Sequence, residues 1–448
     1  MLPALVALAF FFSMFANLHR LPFKNEESLR LTVAYEMYHT GNYLQPTFLG
    51  ELYFNKPPLF NWLIVAYSYL FPWSELTLRA LSLSATAITC LLVFLFALYL
   101  LKDKRTALIA SLLYLSFGNV LFFYGFLGEI DAVFTLFVFA GMISLYLWWE
   151  KSSWLFASLS GFLFGLSFLL KGFPAFAFFG ISLLTLSLYH RKPFELLKPK
   201  ALLSYALCIA PPTLWLLTTQ EPFVYLKTLW MESFSRVSDK DFSRLWHVLS
   251  FPLINFKDLL PASALFVFAL WVIRKELFFP KVLLPVLLLF LFNYLPYLFS
   301  NSAGRYIMPL YPLLALLFSP YVSKALEKEG FKRAFYGVLL FVLLLRIAYG
   351  LVYFPYVENK DTSRKRIAKE IFKLTESHSV ACECPEEKSI CLYLSLWRGE
   401  PIKRLHLTEP RAGFAVVCEN RLVGNVVKEF SVGGRKVYLT SLPSLAPH

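Results

Sequence analysis

The chain has 448 residues, of which 58% are hydrophobic, 18% aromatic and only 16% charged. Soluble globular proteins carry about 45–50% apolar and about 25% charged residues, so a soluble enzyme and a disordered chain are both excluded. The formal charge of +14 does not point to nucleic acid, because the basic residues punctuate apolar runs, as the positive-inside rule describes for cytoplasmic loops.

A membrane-spanning helix needs about 20 apolar residues. The first run, from Leu2 to about Leu18, lacks a charged leading region and an A-x-A cleavage site, and reads as a signal-anchor helix. Residues 19–61 are too polar to span. The run at 62–72 is too short to cross and is expected to lie along the interface. Spans are expected at 79–101, 106–128, 132–149, 154–170, 173–189, 201–218, 259–273, 281–300, 306–323 and 334–354. With the first run this makes an all-α polytopic membrane domain over 1–356 of about eleven crossings, plus or minus two.

Basic clusters at Lys102, Lys104 and Arg105, at Arg191, Lys192, Lys198 and Lys200, at Arg274, Lys275 and Lys281, and at Lys324, Lys328, Lys332 and Arg333 mark cytoplasmic loops. The N-terminus is then cytoplasmic, and residues 19–61, the Glu129–Asp131 turn, the 219–257 loop and the tail lie outside. The tail, 357–448, is expected to form a small α+β outer domain. It opens with a basic amphipathic stretch, Ser363 to Leu374, and contains strand-like runs at Ala415 to Cys418 and Lys436 to Leu439. Cys382, Cys384, Cys391 and Cys418 match no zinc spacing. One or two disulfides suit an oxidising compartment, with free thiols as the alternative. Cys90 and Cys208, inside apolar runs, read as small buried hydrophobes.

Charged residues recur at the outer ends of these runs. Lys24-Asn25-Glu26-Glu27-Ser28 offers a carboxylate pair, suited to a general base or simply to the acidic first turn of a helix. Lys56-Pro57-Pro58 fixes an ammonium on a stiff turn, as a phosphate binder or an interfacial anchor. In Gly128-Glu129-Ile130-Asp131, Asp131 is a plausible helix N-cap. Residues two apart do not share a helix face, so Glu129 and Asp131 act together only if the turn is non-helical. Lys171-Gly172 and Gly304-Arg305-Tyr306 place further cations on the same side. His247, beside Trp246, reads as a metal partner or an interfacial side chain.

Glu36-Met37, Thr40-Gly41-Asn42-Tyr43-Leu44, Pro46 and the unbroken run Tyr53 through Trp62 resemble the first outer loop of the GT-C glycosyltransferases of the protein mannosyltransferase and lipid A aminoarabinose transferase group. Arg79-Ala80-Leu81, Glu129-Ile130-Asp131, Lys171-Gly172 and Arg305 through Pro309 follow in that group's order, so the resemblance covers roughly residues 1–320. It implies a GT-C-like fold and sugar transfer, with inversion, from a polyprenyl-phosphate donor at the outer face of a bacterial inner membrane. Glu26 would be the general base, with Glu27 its neighbour, and Asp131, with Glu129, would position the acceptor. Lys56 and Arg305 would hold the donor phosphate, supported by Lys171 and Tyr306. The acceptor is a glycolipid such as lipid A, a glycan or a protein; a monomer in membrane lipid with no nucleic-acid partner is expected. There are departures. Glu26 stands where the group has aspartate, and Leu29, followed by Arg30, where it has arginine. Asn55 replaces a frequent glutamate, and an amide is a poor zinc ligand. No cofactor is therefore assigned, and a divalent metal would have His247 as its candidate partner. The rival reading is a transporter or flippase of lipid-linked sugars, which tends to show two halves with paired broken helices; no such halves are visible. None of the motifs falls in the tail, so the tail is expected to be dispensable for chemistry but not necessarily for acceptor choice.

Overall fold

The computed structural model describes the whole chain except residues 1, 25, 236–242, 377, 408–412 and 443–448; Asn25 and part of the 219–257 loop thus lie outside the described residues. Helix α1 (Leu2–Ser13) continues through a tight turn to Arg20 as one apolar rod. The first loop is largely ordered by its own side chains. Helix α2 (Glu27–Thr40) ends at Gly41, whose φ of 69° is a conformation glycine adopts without a Cβ penalty. The hairpin β1 (Thr47–Phe48) and β2 (Glu51–Leu52) follows. The buried Glu36 carboxylate accepts from the Thr47 hydroxyl at 2.6 Å, the Leu49 amide at 2.7 Å and the Gly50 amide at 3.2 Å, locking the hairpin to α2. Burial pushes the Glu36 carboxyl above its ordinary range, and these three bonds pull in the other direction.

Helix α3 (Leu59–Ser68) has 10 residues, about 15 Å of rise against a hydrocarbon core of about 30 Å, in keeping with the run expected not to cross. Helix α4 (Glu75–Leu101) starts at a reciprocal cap between Ser74 and Thr77 and is 27 residues long. Helix α5 (Lys104–Ser116) is capped by the Asp103 carboxylate, which accepts from the Arg105 and Thr106 amides. It stops at Phe117–Gly118, and a wider π-type turn, Val120–Tyr124, replaces the rest of the expected 106–128 span. Helices α6 (Ile130–Lys151) and α7 (Trp154–Lys171) form a long hairpin, with α8 (Pro174–Tyr189) and α9 (Pro199–Thr218) packed beside them. Helix α10 (Pro222–Phe234) leads to α11 (Arg244–Asp258) and α12 (Ala262–Val272), which meet at 96°. Helices α13 (Leu284–Leu298), α14 (Tyr311–Ala325) and α15 (Glu329–Ala348) complete the bundle.

Among the described residues, eight helices are long and apolar enough to cross a membrane, or nine if α11 and α12 make one bent span. The two further expected crossings correspond to α5 and α8, helices of 13 and 16 residues. Hydropathy sums apolar residues and does not register where the backbone breaks.

The last rod continues through α16 (Phe354–Asn359) to α17 (Arg364–Leu374), past the boundary expected near residue 356. The tail is the expected α+β unit. Strand β3 (Val380–Glu383) leads into α18 (Lys388–Arg398), and β4 (Phe414–Cys418), β5 (Asn425–Val432) and β6 (Arg435–Ser441) complete a sheet of order β3-β4-β6-β5. Only the β3–β4 pair is parallel. Disulfides join Cys382 to Cys391 and Cys384 to Cys418, while Cys90 and Cys208 are free.

Candidate active site

The ends of α2, α6, α7 and α10, the Gly304–Leu310 turn and the start of α18 enclose a cavity of about 580 Å³, walled on one side by Phe173, Pro174 and Phe178 around the start of α8. It is lined by five cations, Arg30, Lys56, Lys171, Arg305 and Lys388, and four carboxylates, Glu26, Glu129, Asp131 and Glu232. One positive charge is in excess, in a partly desolvated space where charge acts strongly.

Each carboxylate faces a cation. Lys171 Nζ donates to Asp131 Oδ1 at 2.6 Å, and Arg305 Nη1 to Glu129 Oε2 at 2.8 Å. Lys56 pairs with Glu232 of α10, and Lys388 Nζ donates to both oxygens of Glu26, at 3.1 and 3.3 Å. Arg30 is different: its Nη1 donates to the Tyr53 hydroxyl at 2.8 Å. Tyr306 presents its ring to Lys171 and Arg305, with centroids at 5.6 and 5.7 Å. Burial pulls Lys56 down to about 8, with the adjacent Glu232 charge acting the other way.

Seven of the sequence candidates thus line one cavity: Glu26, Glu129, Asp131, Lys56, Lys171, Arg305 and Tyr306. Three points need correction. Glu27 is fully buried away from the cavity: it accepts from Arg79 Nε and Nη2 at 2.9 and 2.6 Å, from the Gly128 amide at 2.7 Å and from the Lys24 amide at 2.8 Å. With every lone-pair direction engaged, it braces the loop and is not placed to act on a ligand. Asp131 is not the N-cap of α6. Glu129 holds that position in an extended conformation (φ −111°, ψ 161°), and Asp131 is the second helical residue. That non-helical Glu129 is what lets both carboxylates line the cavity. The tail, expected to be dispensable for chemistry, contributes Lys388 to the lining.

His247 lies on α11, with its Nε2 3.1 Å from the Tyr297 carbonyl and its ring stacked on Phe251; it is not among the cavity-lining residues. Asn55 does line the cavity, but the carboxylates around it are each drawn to a cation and do not converge on a common point. Among the described residues, three metal-ligating side chains cluster only at Cys384, Glu386 and Cys418, and both cysteines there are disulfide-bonded.

Glu232 and Lys388 were missed in the sequence because their pairing partners lie 176 and 362 residues away. The available signals were slight: an acid within the mostly apolar α10, and a lysine bracketed by Cys384 and Cys391.

Residues 55–215 match the family model described as dolichyl-phosphate-mannose-protein mannosyltransferase. The chain is 31% identical over 375 residues to an undecaprenyl phosphate-alpha-4-amino-4-deoxy-L-arabinose arabinosyl transferase of Aeromonas hydrophila, covering 78% of this chain and 66% of that protein. The enzyme of the same name from Yersinia pestis is 27% identical over 359 residues, covering 74% and 62%. The chain thus spans just under two thirds of the length of these relatives. Among solved structures, ArnT from Cupriavidus metallidurans bound to undecaprenyl phosphate has the same fold, with a TM-score of 0.72 at 15% identity, over 100% of this chain and 99% of that one.

Proposed function

The chain belongs to the GT-C fold membrane group of the lipid A aminoarabinose transferases, and from that membership we propose that it transfers a sugar from a polyprenyl-phosphate donor to an acceptor at the outer face of the membrane. The observation that carries the reading is the cavity itself. Cations from four separate stretches of the membrane domain meet at the ends of spanning helices, beside an apolar wall. A lipid-linked donor needs this combination, because its prenyl tail stays in the bilayer while its phosphate and sugar enter a charged space.

The roles follow from the chemistry. The anomeric carbon–oxygen bond to phosphate breaks as a bond from the acceptor oxygen forms on the opposite face, which inverts the configuration. Negative charge grows on the departing phosphate, so cations already fixed in place stabilise the transition state more than the ground state. Lys56, Lys171 and Arg305 fill that role, each held ready by its own carboxylate, and Arg30 adds the excess positive charge. Tyr306 flanks two of these cations. Glu26 takes the proton from an acceptor hydroxyl, or orients the acceptor if it is already ionised. Glu129 and Asp131 position the cations and the acceptor.

The acceptor we favour is lipid A or a related glycolipid, as the resemblance to the lipid A aminoarabinose transferases implies; the relatives' names give aminoarabinose on undecaprenyl phosphate as their donor. We place the N-terminus in the cytoplasm and the cavity and tail outside, on the basic loops, and take the chain as a monomer in a bacterial inner membrane. The relatives' names favour a transferase over a flippase. Mass spectrometry of glycolipids from cells with and without the gene tests the proposal. We expect a sugar-sized mass increment that disappears with the gene and returns with the wild-type chain but not with Glu26→Gln. Identical glycolipid, glycan and glycoprotein profiles in the two strains would remove it.

A further inference from the structure

We infer that the tail completes the active site: Lys388 is a positioning residue for Glu26, held in place by the two disulfides of the C-terminal domain. This rests on the transferase reading of the cavity. Four of the five cations lining the cavity come from the membrane domain; Lys388 alone comes from the tail.

The observation begins with Glu26. It occupies the N-cap position of α2 with no capping hydrogen bond from its side chain, and the carboxylate is 40% exposed. Such a group rotates freely unless something grips it. Lys388 donates to both of its oxygens, which holds the carboxylate in position. A tail lysine with a purely local role would reach a tail carboxylate or water; this one crosses to the residue best placed as base.

The placement of Lys388 is itself over-determined. It is the first residue of α18, and α18 lies alongside α2 in the same direction: Glu26 meets Lys388 at the N-terminal ends, and the His39 ring reaches the Gly399 carbonyl at 3.0 Å at the other. Midway, the Tyr393 hydroxyl donates to Glu75 at 2.6 Å and accepts from the Phe23 amide at 3.1 Å. The Cys382–Cys391 bond closes across Lys388, and Cys384–Cys418 ties the same segment to the end of β4. The bridged segment carries Lys388 between fixed points, so opening these bonds loosens the cation that holds Glu26.

A zero-length carbodiimide tests the contact without reference to activity, since it joins an amine to a carboxylate only when they touch. In the full-length protein we expect a Glu26–Lys388 cross-linked peptide, depleted in the Cys384→Ser/Cys418→Ser double variant. In transfer assays, Lys388→Met should lower kcat by about tenfold or more, as loss of positioning around a general base does, with the donor KM changed by no more than about twofold. Lys388→Arg, which keeps the charge and can bond both carboxylate oxygens, should regain most of the lost kcat. Absence of the cross-link in the wild-type chain overturns the inference. So does wild-type turnover in Lys388→Met, or a Lys388→Arg variant no better than methionine. A wild-type chain that cross-links but transfers no sugar refutes the transferase reading and the catalytic half of this inference with it, an outcome distinct from all three.

Discussion

Lys56 is held by burial at about 8, well below the usual lysine value. Its charge therefore disappears as pH rises through about 8, within the range of an ordinary assay. A donor phosphate needs that charge, so kcat/KM, which reports the free enzyme, should fall on the alkaline side, approaching about tenfold per pH unit beyond the midpoint. Lys56→Arg stays protonated throughout and should flatten this limb even if its activity at neutral pH is lower. An identical alkaline limb in the arginine variant would mean that another group sets it. The residue scale is also where the sequence was most readable. Lys56 before two prolines, Lys171 before Gly172 and Arg305 before Tyr306 sit at the ends of apolar runs, where each alone reads as an interfacial anchor, and it is their common placement on one side that pointed to a site. Their partners were hidden, because an ion pair such as Lys56–Glu232 is made by packing between segments and leaves no local pattern.

Among the elements, α2 is the scaffold of the site, and it stands on the Arg79–Glu27 pair. Both side chains have zero exposure, and Arg79 also donates to the carbonyls of Leu18, Leu21 and Pro22. A Cβ at Gly128 would collide with Leu78, so only glycine lets that backbone amide close on Glu27. Removing one partner of a buried pair leaves an uncompensated charge and costs about 3–5 kcal/mol. Arg79→Met should lower the thermal midpoint in detergent substantially and weaken transfer through loss of α2 placement. Glu27→Gln, whose amide nitrogen cannot accept from the donors that face it and which leaves Arg79 uncompensated, should be destabilising as well. An Arg79→Met protein as stable as wild type would show that the pair carries no such load. The sequence suggested a carboxylate pair at Glu26 and Glu27 and could not divide their labour, because adjacent residues differ only in which face the fold gives them. Here one faces the cavity and the other faces Arg79. The same blindness applies to α5, where an apolar run conceals the break at Phe117–Gly118.

For the whole molecule, the tail packs against the first loop through Arg404 and Glu51 at 2.6 Å and the α2–α18 contacts, and against the start of α4 through Lys365 and Glu75 at 3.0 Å. Tail and cavity must therefore share one side of the membrane. In the proposed topology, with the basic loops cytoplasmic, that side is the outer one. In spheroplasts, protease added from outside should release tail fragments while leaving the Lys102–Arg105 loop intact. Cleavage of that loop with the tail spared would invert the topology. The α+β character of the tail was readable from its loss of hydrophobicity, its amphipathic stretch and its strand-like runs. Its role in the cavity was not, since Lys388 acquires meaning only when α18 docks on α2. The most direct test of sugar transfer is made on purified chain in proteoliposomes supplied with a polyprenyl-phosphate-linked sugar and a candidate glycolipid acceptor, measuring free polyprenyl phosphate and glycosylated acceptor together. We expect wild-type protein to form both in equal amounts and Glu26→Gln to slow both by about 10²–10⁴-fold while still binding the donor. Donor that crosses the bilayer uncleaved, or equal turnover by wild type and Glu26→Gln, would contradict it.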